Sequence, residues 1–232
     1  MLETVLAIPF WLELVATLAG AISGAMSAVK IRYDVFGTVC VACAVGVCGG
    51  VIRDVLLQDY GIYAFQNPSL IMGCVIAGLV VFCFGKLATF LDPVVDFFDN
   101  VSVALWAVIG AGKALAAGLG IVPAAILGTV TAVGGGIVRD VLMCRRPEVF
   151  QAGTLYGCAA LFGSVAFALM KQNHLLEQWA GPACVLLVLA LRYASIAFGW
   201  RTRPPHDYSN AVAHAVKHPV RAVARRVRKR GK

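Results

Sequence analysis

The chain has 232 residues, of which 60% are hydrophobic and 14% charged, with a mean hydropathy of +0.82. A soluble domain carries about 25% charged residues, so this composition excludes a single water-soluble globular domain. The net charge of +8 comes from basic residues gathered in short connections and at the C-terminal end, which leaves long uncharged runs of the kind that cross membranes.

In chain order, Met1-Leu2-Glu3-Thr4 lacks the basic start of a signal peptide, so the first apolar run, Leu6–Val29, is expected to be a retained span. Ser23 and Ser27 share one of its faces, fit either to line a pore or to bond a neighbouring helix. The further spans are Phe36–Leu57, Leu70–Leu91, Val101–Leu119, Ile121–Met143, Gly153–Met170 and Ala180–Phe198. Gly118, Gly120 and Pro123 mark the break between the fourth and fifth. Seven of the eight cysteines lie inside apolar runs and are read as small hydrophobic filler, with neither a disulfide framework nor a metal set. No cofactor or metal site is expected.

One set of connections carries Lys30, Arg32, Lys86, Arg145 and Arg146 together with the C-terminal tail, and the opposite set carries only Lys113 and Lys171. The more basic side faces the cytoplasm in most membranes. The expectation is a multi-pass protein of the cell membrane with its N-terminus outside and its C-terminus cytoplasmic.

The chain repeats itself. Gly49-Gly50-Val51-Ile52-Arg53-Asp54-Val55-Leu56 recurs as Gly135-Gly136-Ile137-Val138-Arg139-Asp140-Val141-Leu142, an offset of 139 − 53 = 86 residues. At this offset Ala21, Gly24, Ala25 and Ala28 fall on Ala107, Gly110, Ala111 and Ala114, and Glu13 falls on Asp99. The organisation read from this is a first three-helix repeat (1–93), a second (94–172), a seventh helix (173–200) and a basic tail (201–232). Three spans per unit force the second unit to enter from the other side, giving an all-α membrane protein with two inverted repeats plus one helix. Sites in such folds lie at the repeat interface, on helices interrupted by glycine or proline.

Gly46, Gly49 and Gly50 sit near the middle of span two, and Gly134, Gly135 and Gly136 in span five. Such clusters are expected to permit a kink or a short unwound stretch whose carbonyls face protein or a wet cavity; close packing is the competing reading. Arg53 and Asp54, and likewise Arg139 and Asp140, follow one turn later, where an arginine at bilayer depth marks a cavity or an ion path. Since adjacent helical residues do not face one another, each is expected to find its partner elsewhere. Lys113 interrupts span four after Gly110-Ala111-Gly112, fit to face a water-filled path or the outer surface. It belongs to no P-loop, because Ala107 stands where that motif needs glycine and Ala114 where it needs Ser or Thr.

Beyond Trp200 the chain turns polar, and Val212, Val216, Val220, Val223 and Val227 recur at helical spacing among eight Lys and Arg residues. A basic amphipathic segment beside a span is suited to the anionic lipids of the cytoplasmic leaflet. Nucleic acid is not an expected partner, because no aromatic residue interleaves these charges. No intramembrane Ser–His or paired-Asp arrangement suggests an enzyme, and all four histidines lie outside the spans.

The doubled Gly-Gly-x-x-Arg-Asp-x-Leu, together with Ile109-Gly110-Ala111-Gly112-Lys113-Ala114-Leu115, resembles the prokaryotic branch of the trimeric intracellular cation channel family, over all seven spans but not the tail. The resemblance implies a seven-helix protomer, a homotrimer, and one path for monovalent cations, potassium above all, inside each protomer, with spans two and five kinked around it. By motif match the path residues are Gly49, Gly50, Arg53, Asp54, Lys113, Gly134, Gly135, Gly136, Arg139 and Asp140. Cys48 stands where the second repeat has Gly134, so the first kink is expected to be milder. Relatives of this kind are also described as glycine-transporter-like, and a secondary transporter of a small solute such as glycine is the alternative.

Overall fold

The computed structural model describes residues 8–85, 92–153, 155–175 and 178–200. Among these every regular element is helical: α1 (Phe10–Lys30), α2 (Val35–Leu57), the single turn α3 (Tyr63–Gln66), α4 (Pro68–Cys83), α5 (Asp92–Ala116), α6 (Ile121–Leu142), α7 (Tyr156–Gln172) and α8 (Ala180–Ala197), with a 3₁₀ turn at Glu148–Phe150. The boundaries follow local chemistry. Asp34 caps α2 by accepting from the Gly37 amide at 2.8 Å, and Pro68 opens α4, where its missing N–H costs nothing. Gly118 takes a left-handed conformation (φ 79°) and Gly120 precedes α6, with Pro123 in its first turn, so the chain reverses between α5 and α6 at the expected residues.

Five helices (α1, α2, α5, α6 and α8) are long and apolar enough to cross a membrane; α4 is a shorter apolar helix of 16 residues and α7 has 17. The molecule is a multi-pass membrane protein. Of the last expected span-three residues, 86–91 lie outside the described residues, as does the tail. The core is centred on α5, whose most apolar stretch is 72% buried against 28% for α8. Helices α1, α2 and α4 pack on one another, as do α5, α6 and α7, and the two groups meet through α1 on α5 and α2 on α6.

Both meetings are antiparallel and rest on small residues. On α2 and α6, a Cβ added at Gly49 would lie 2.3 Å from the Thr131 carbonyl oxygen, and one added at Gly135 would lie 2.4 Å from that of Val45. Each of these contacts is the other shifted by the repeat offset, so the two helices offer each other the same surface, as across a two-fold axis. The glycines therefore serve close backbone approach. The helices run unbroken through both clusters, and the expected unwound stretch is absent from α2 and α6. An approach this close needs the missing Cβ, whereas the backbone hydrogen bonds of both helices stay internal, as an apolar setting demands.

Two charged clusters on either side of Trp106

One stripe of α5 organises the interior. Asp99, Trp106 and Lys113 stand seven residues apart, which keeps them on nearly one face with roughly 10.5 Å of rise between successive members. The matching positions on α1 are Glu13, Gly20 and Ser27, and the stripes run in opposite directions, so that Glu13 meets Lys113 while Ser23, one turn from Ser27, reaches Asp99.

The first cluster forms where α1, α2 and α5 meet. Lys113 Nζ lies 2.6 Å from Glu13 Oε1 and 3.7 Å from the centroid of the Tyr63 ring, a cation held by a carboxylate and a π face together. Lys113 thus points inward rather than to the outer surface, and it lines neither of the voids described below. Beside it, Arg53 binds Asp54 Oδ1 through Nε at 2.8 Å and Nη2 at 2.7 Å. The same carboxylate accepts from the Tyr60 hydroxyl at 2.9 Å and, through Oδ2, from the Tyr63 amide at 2.9 Å, which fastens α3 to the end of α2. Burial pushes the Tyr60 hydroxyl well above the ordinary tyrosine range, so it stays protonated and remains a donor.

The second cluster repeats this plan at the other end of the stripe. Arg139 Nη1 binds Asp99 Oδ1 at 2.6 Å and its Nε binds Asp140 Oδ1 at 3.1 Å. Asp140 Oδ2 accepts from the Glu148 amide at 3.0 Å and so caps the 3₁₀ turn as Asp54 caps α3. From α8, Arg192 donates to Asn100 Oδ1 at 2.7 Å, lies 4.0 Å from Asp99 Oδ2, and stacks 4.2 Å from the centre of the Tyr156 ring.

Both arginines thus pair with the aspartate next in sequence, contrary to the expectation of distant partners only. Side chains at i and i+1 do leave the helix in different directions, but the long arginine stem lets the guanidinium fold back to its neighbour's carboxylate. Arg139 has the remote partner Asp99 as well. The pairing matters energetically, because an isolated buried charge costs several kcal/mol, and Arg53 and Asp54 are only 1% and 3% exposed.

Two narrow voids lie along the stripe. One, about 10 Å³ and so room for a single water, is lined by Glu13, Gly50, Arg53, Asp54 and Tyr63 among others; the second, also about 10 Å³, by Gly49, Asp99, Thr131, Gly135, Gly136 and Tyr156 among others. Among the described residues Trp106 alone lines both. Beyond the Arg139–Asp99 pair, an open recess of about 550 Å³ carries Arg139, Asp140, Lys30, Asp96, Arg145 and Arg146. Gly134 lines neither void; it packs against Gly49 and Ile52. The other expected residues gather along this line, with Lys113 behind Glu13. Glu13 and Asp99 were visible as carboxylates matched at the repeat offset, and Arg192 as a lone cation in the last span. Trp106 and the aromatic partners carried no sequence signal.

These features define a helical membrane protein with two buried clusters of paired charges, each beside a small void. The family described as glycine transporter matches the chain twice, over residues 10–86 and 96–172, the same spacing as the internal repeat. The UPF0126 membrane protein of Deinococcus radiodurans is 34% identical over 80% of this chain and 86% of its own length. The UPF0126 inner membrane protein YadS of Escherichia coli is 29% identical over 84% and 94%. Among solved structures, the TRIC trimeric intracellular cation channel orthologue from Rhodobacter sphaeroides superposes with a TM-score of 0.77 at 28% identity, covering 82% of this chain and 97% of that one. A second TRIC cation channel structure gives 0.78 at 25% identity over 86% and 98%. The chain belongs to this TRIC-type glycine-transporter family.

Proposed function

We propose that the protein is a channel for monovalent cations, potassium foremost, with one path inside each protomer of a homotrimer. The observation that carries this reading is the succession of two voids and a recess, each bordered by carboxylates. Carboxylates along a narrow passage favour cations. Because Glu13, Asp54, Asp99 and Asp140 are already paired, an entering ion has to compete with a resident arginine or lysine. The protomer crosses the membrane seven times as two inverted repeats and a final helix, with the C-terminus cytoplasmic and the tail on anionic lipids. The antiparallel, reciprocal contacts of α2 with α6, and of α1 with α5, support the inversion. The similarity to channels described as trimeric supports the assembly.

The glycine-transporter description of the family, and voids that do not join, favour a second reading: a transporter with an occluded site and alternating access. Flux in liposomes separates the two. Under a potassium gradient, a channel gives fast flux that ignores glycine, and Trp106→Ala raises it severalfold by joining the voids. Slow, saturable glycine uptake with no potassium leak sinks the channel reading.

A further inference from the structure

The two clusters reach the same charge by different means. The first holds two carboxylates, Glu13 and Asp54, and two cations, Arg53 and Lys113. The second holds Asp99 and Asp140 with Arg139, and at the position matching Lys113 the first repeat offers Ser27, which is neutral and donates to the Ser23 carbonyl at 2.8 Å within α1. Counting only the side chains joined in these ion pairs, the repeats alone leave the second cluster one negative charge in excess; Lys30, Asp96, Arg145, Arg146 and Glu148 border the recess beyond it. Arg192 supplies the missing cation, and it comes from α8, outside both repeats.

We propose that Arg192 sets how strongly the second void holds a cation, by neutralising the Asp99 cluster from the final helix. The inference rests on the channel reading for its role in conduction, but not for its effect on binding. Arg192 is 4% exposed, and its Nη1 has no hydrogen-bond partner among the described residues. Its contacts are one hydrogen bond, one long ion pair and a π face. A guanidinium kept for its hydrogen bonds would fill more of its five donors. Its charge is what Asp99 feels, at a distance longer than the 2.6 Å that joins Asp99 to Arg139. Arg139 is therefore the pairing partner and Arg192 the background charge that keeps the void from attracting cations too strongly to release them.

The test is potassium binding read as thermal stabilisation of the purified full chain. KCl is titrated against choline chloride at fixed ionic strength, and potassium flux is measured in parallel. Removing a unit charge roughly 8 Å from an ion, at an effective dielectric of about 20, changes occupancy by about tenfold or more. R192Q should lower the half-effect potassium concentration by that factor. R192K should behave as wild type, and the D99N/R192Q pair, neutral again, should return close to it. D99N alone, with one positive charge in excess, should raise the half-effect concentration by a similar factor, and it serves if R192Q does not fold. An unchanged potassium dependence in R192Q or D99N overturns the proposal, as does an equal shift in R192Q and R192K, which would mark Arg192 as a packing residue. Absence of potassium stabilisation in both wild type and R192Q overturns it too. The expected binding pattern without any potassium flux would leave this inference standing and sink the channel.

Discussion

Asp54 accepts from Arg53, from the Tyr60 hydroxyl and from the Tyr63 amide, so a single carboxylate holds together a buried cation, a loop and the start of α3. Replacing it by asparagine keeps the shape and removes the charge, leaving the Arg53 guanidinium buried without compensation. Breaking one partner of such a pair costs about 3–5 kcal/mol. Asp54→Asn should therefore lower the unfolding temperature in detergent sharply. Glu13→Gln should do less damage, because Lys113 Nζ, though itself shielded from solvent, keeps the faces of the Tyr63 and Tyr60 rings at 3.7 and 5.1 Å. Equal losses in a thermal-shift comparison would contradict this ranking. The sequence already marked Arg53, Asp54, Arg139 and Asp140 as charges that need a reason to be in a span. Their partners were harder to read, because the direction of a side chain at the helix surface says little about where a five-bond stem ends.

At the scale of helices, Gly49 and Gly50 are neighbours with opposite duties. A Cβ at Gly49 would run into the Thr131 carbonyl oxygen of α6, whereas one at Gly50 would meet the Trp106 ring at 3.5 Å, an ordinary contact. Gly49→Ala should force α2 and α6 apart at a cost of about 1–3 kcal/mol, and Gly50→Ala should fold as wild type. Thermal unfolding of the two variants side by side checks the difference. Helix positions were legible because lipid asks for long apolar runs, and Gly118, Gly120 and Pro123 punctuate the chain where they should. The work of the glycine clusters was not, because a kink uses glycine's backbone freedom and a tight crossing uses its missing Cβ, and both leave the same letters in the chain. The Asp99–Trp106–Lys113 stripe was hidden for a related reason. Its members differ in chemistry, so no pattern of like residues announces it.

For the molecule as a whole, the 86-residue repeat was legible, since equal residues at equal spacing need no structure to be seen. What Arg192 does could not be read, because it depends on α8 meeting the start of α5 from far away in sequence. The proposed trimer and the tail each give an expected outcome. Native mass measurement of the detergent-solubilised protein should return three chains per particle. A chain ending at Trp200 should keep its potassium flux while the full chain binds vesicles containing anionic lipid more tightly.

The Glu13–Lys113 pair also bears on how the protein is made. Glu13 enters the bilayer in the first helix, and its cation arrives only at the far end of α5, after the whole first repeat has been synthesised. Until then a carboxylate in the first turn of α1 waits without its cation, at a cost below the roughly 2.5–3.5 kcal/mol of a charge at a helix centre. The halves are therefore interdependent during biogenesis. Expressed as separate polypeptides divided between α4 and α5, each should be degraded alone and rescued when both are produced in the same cell.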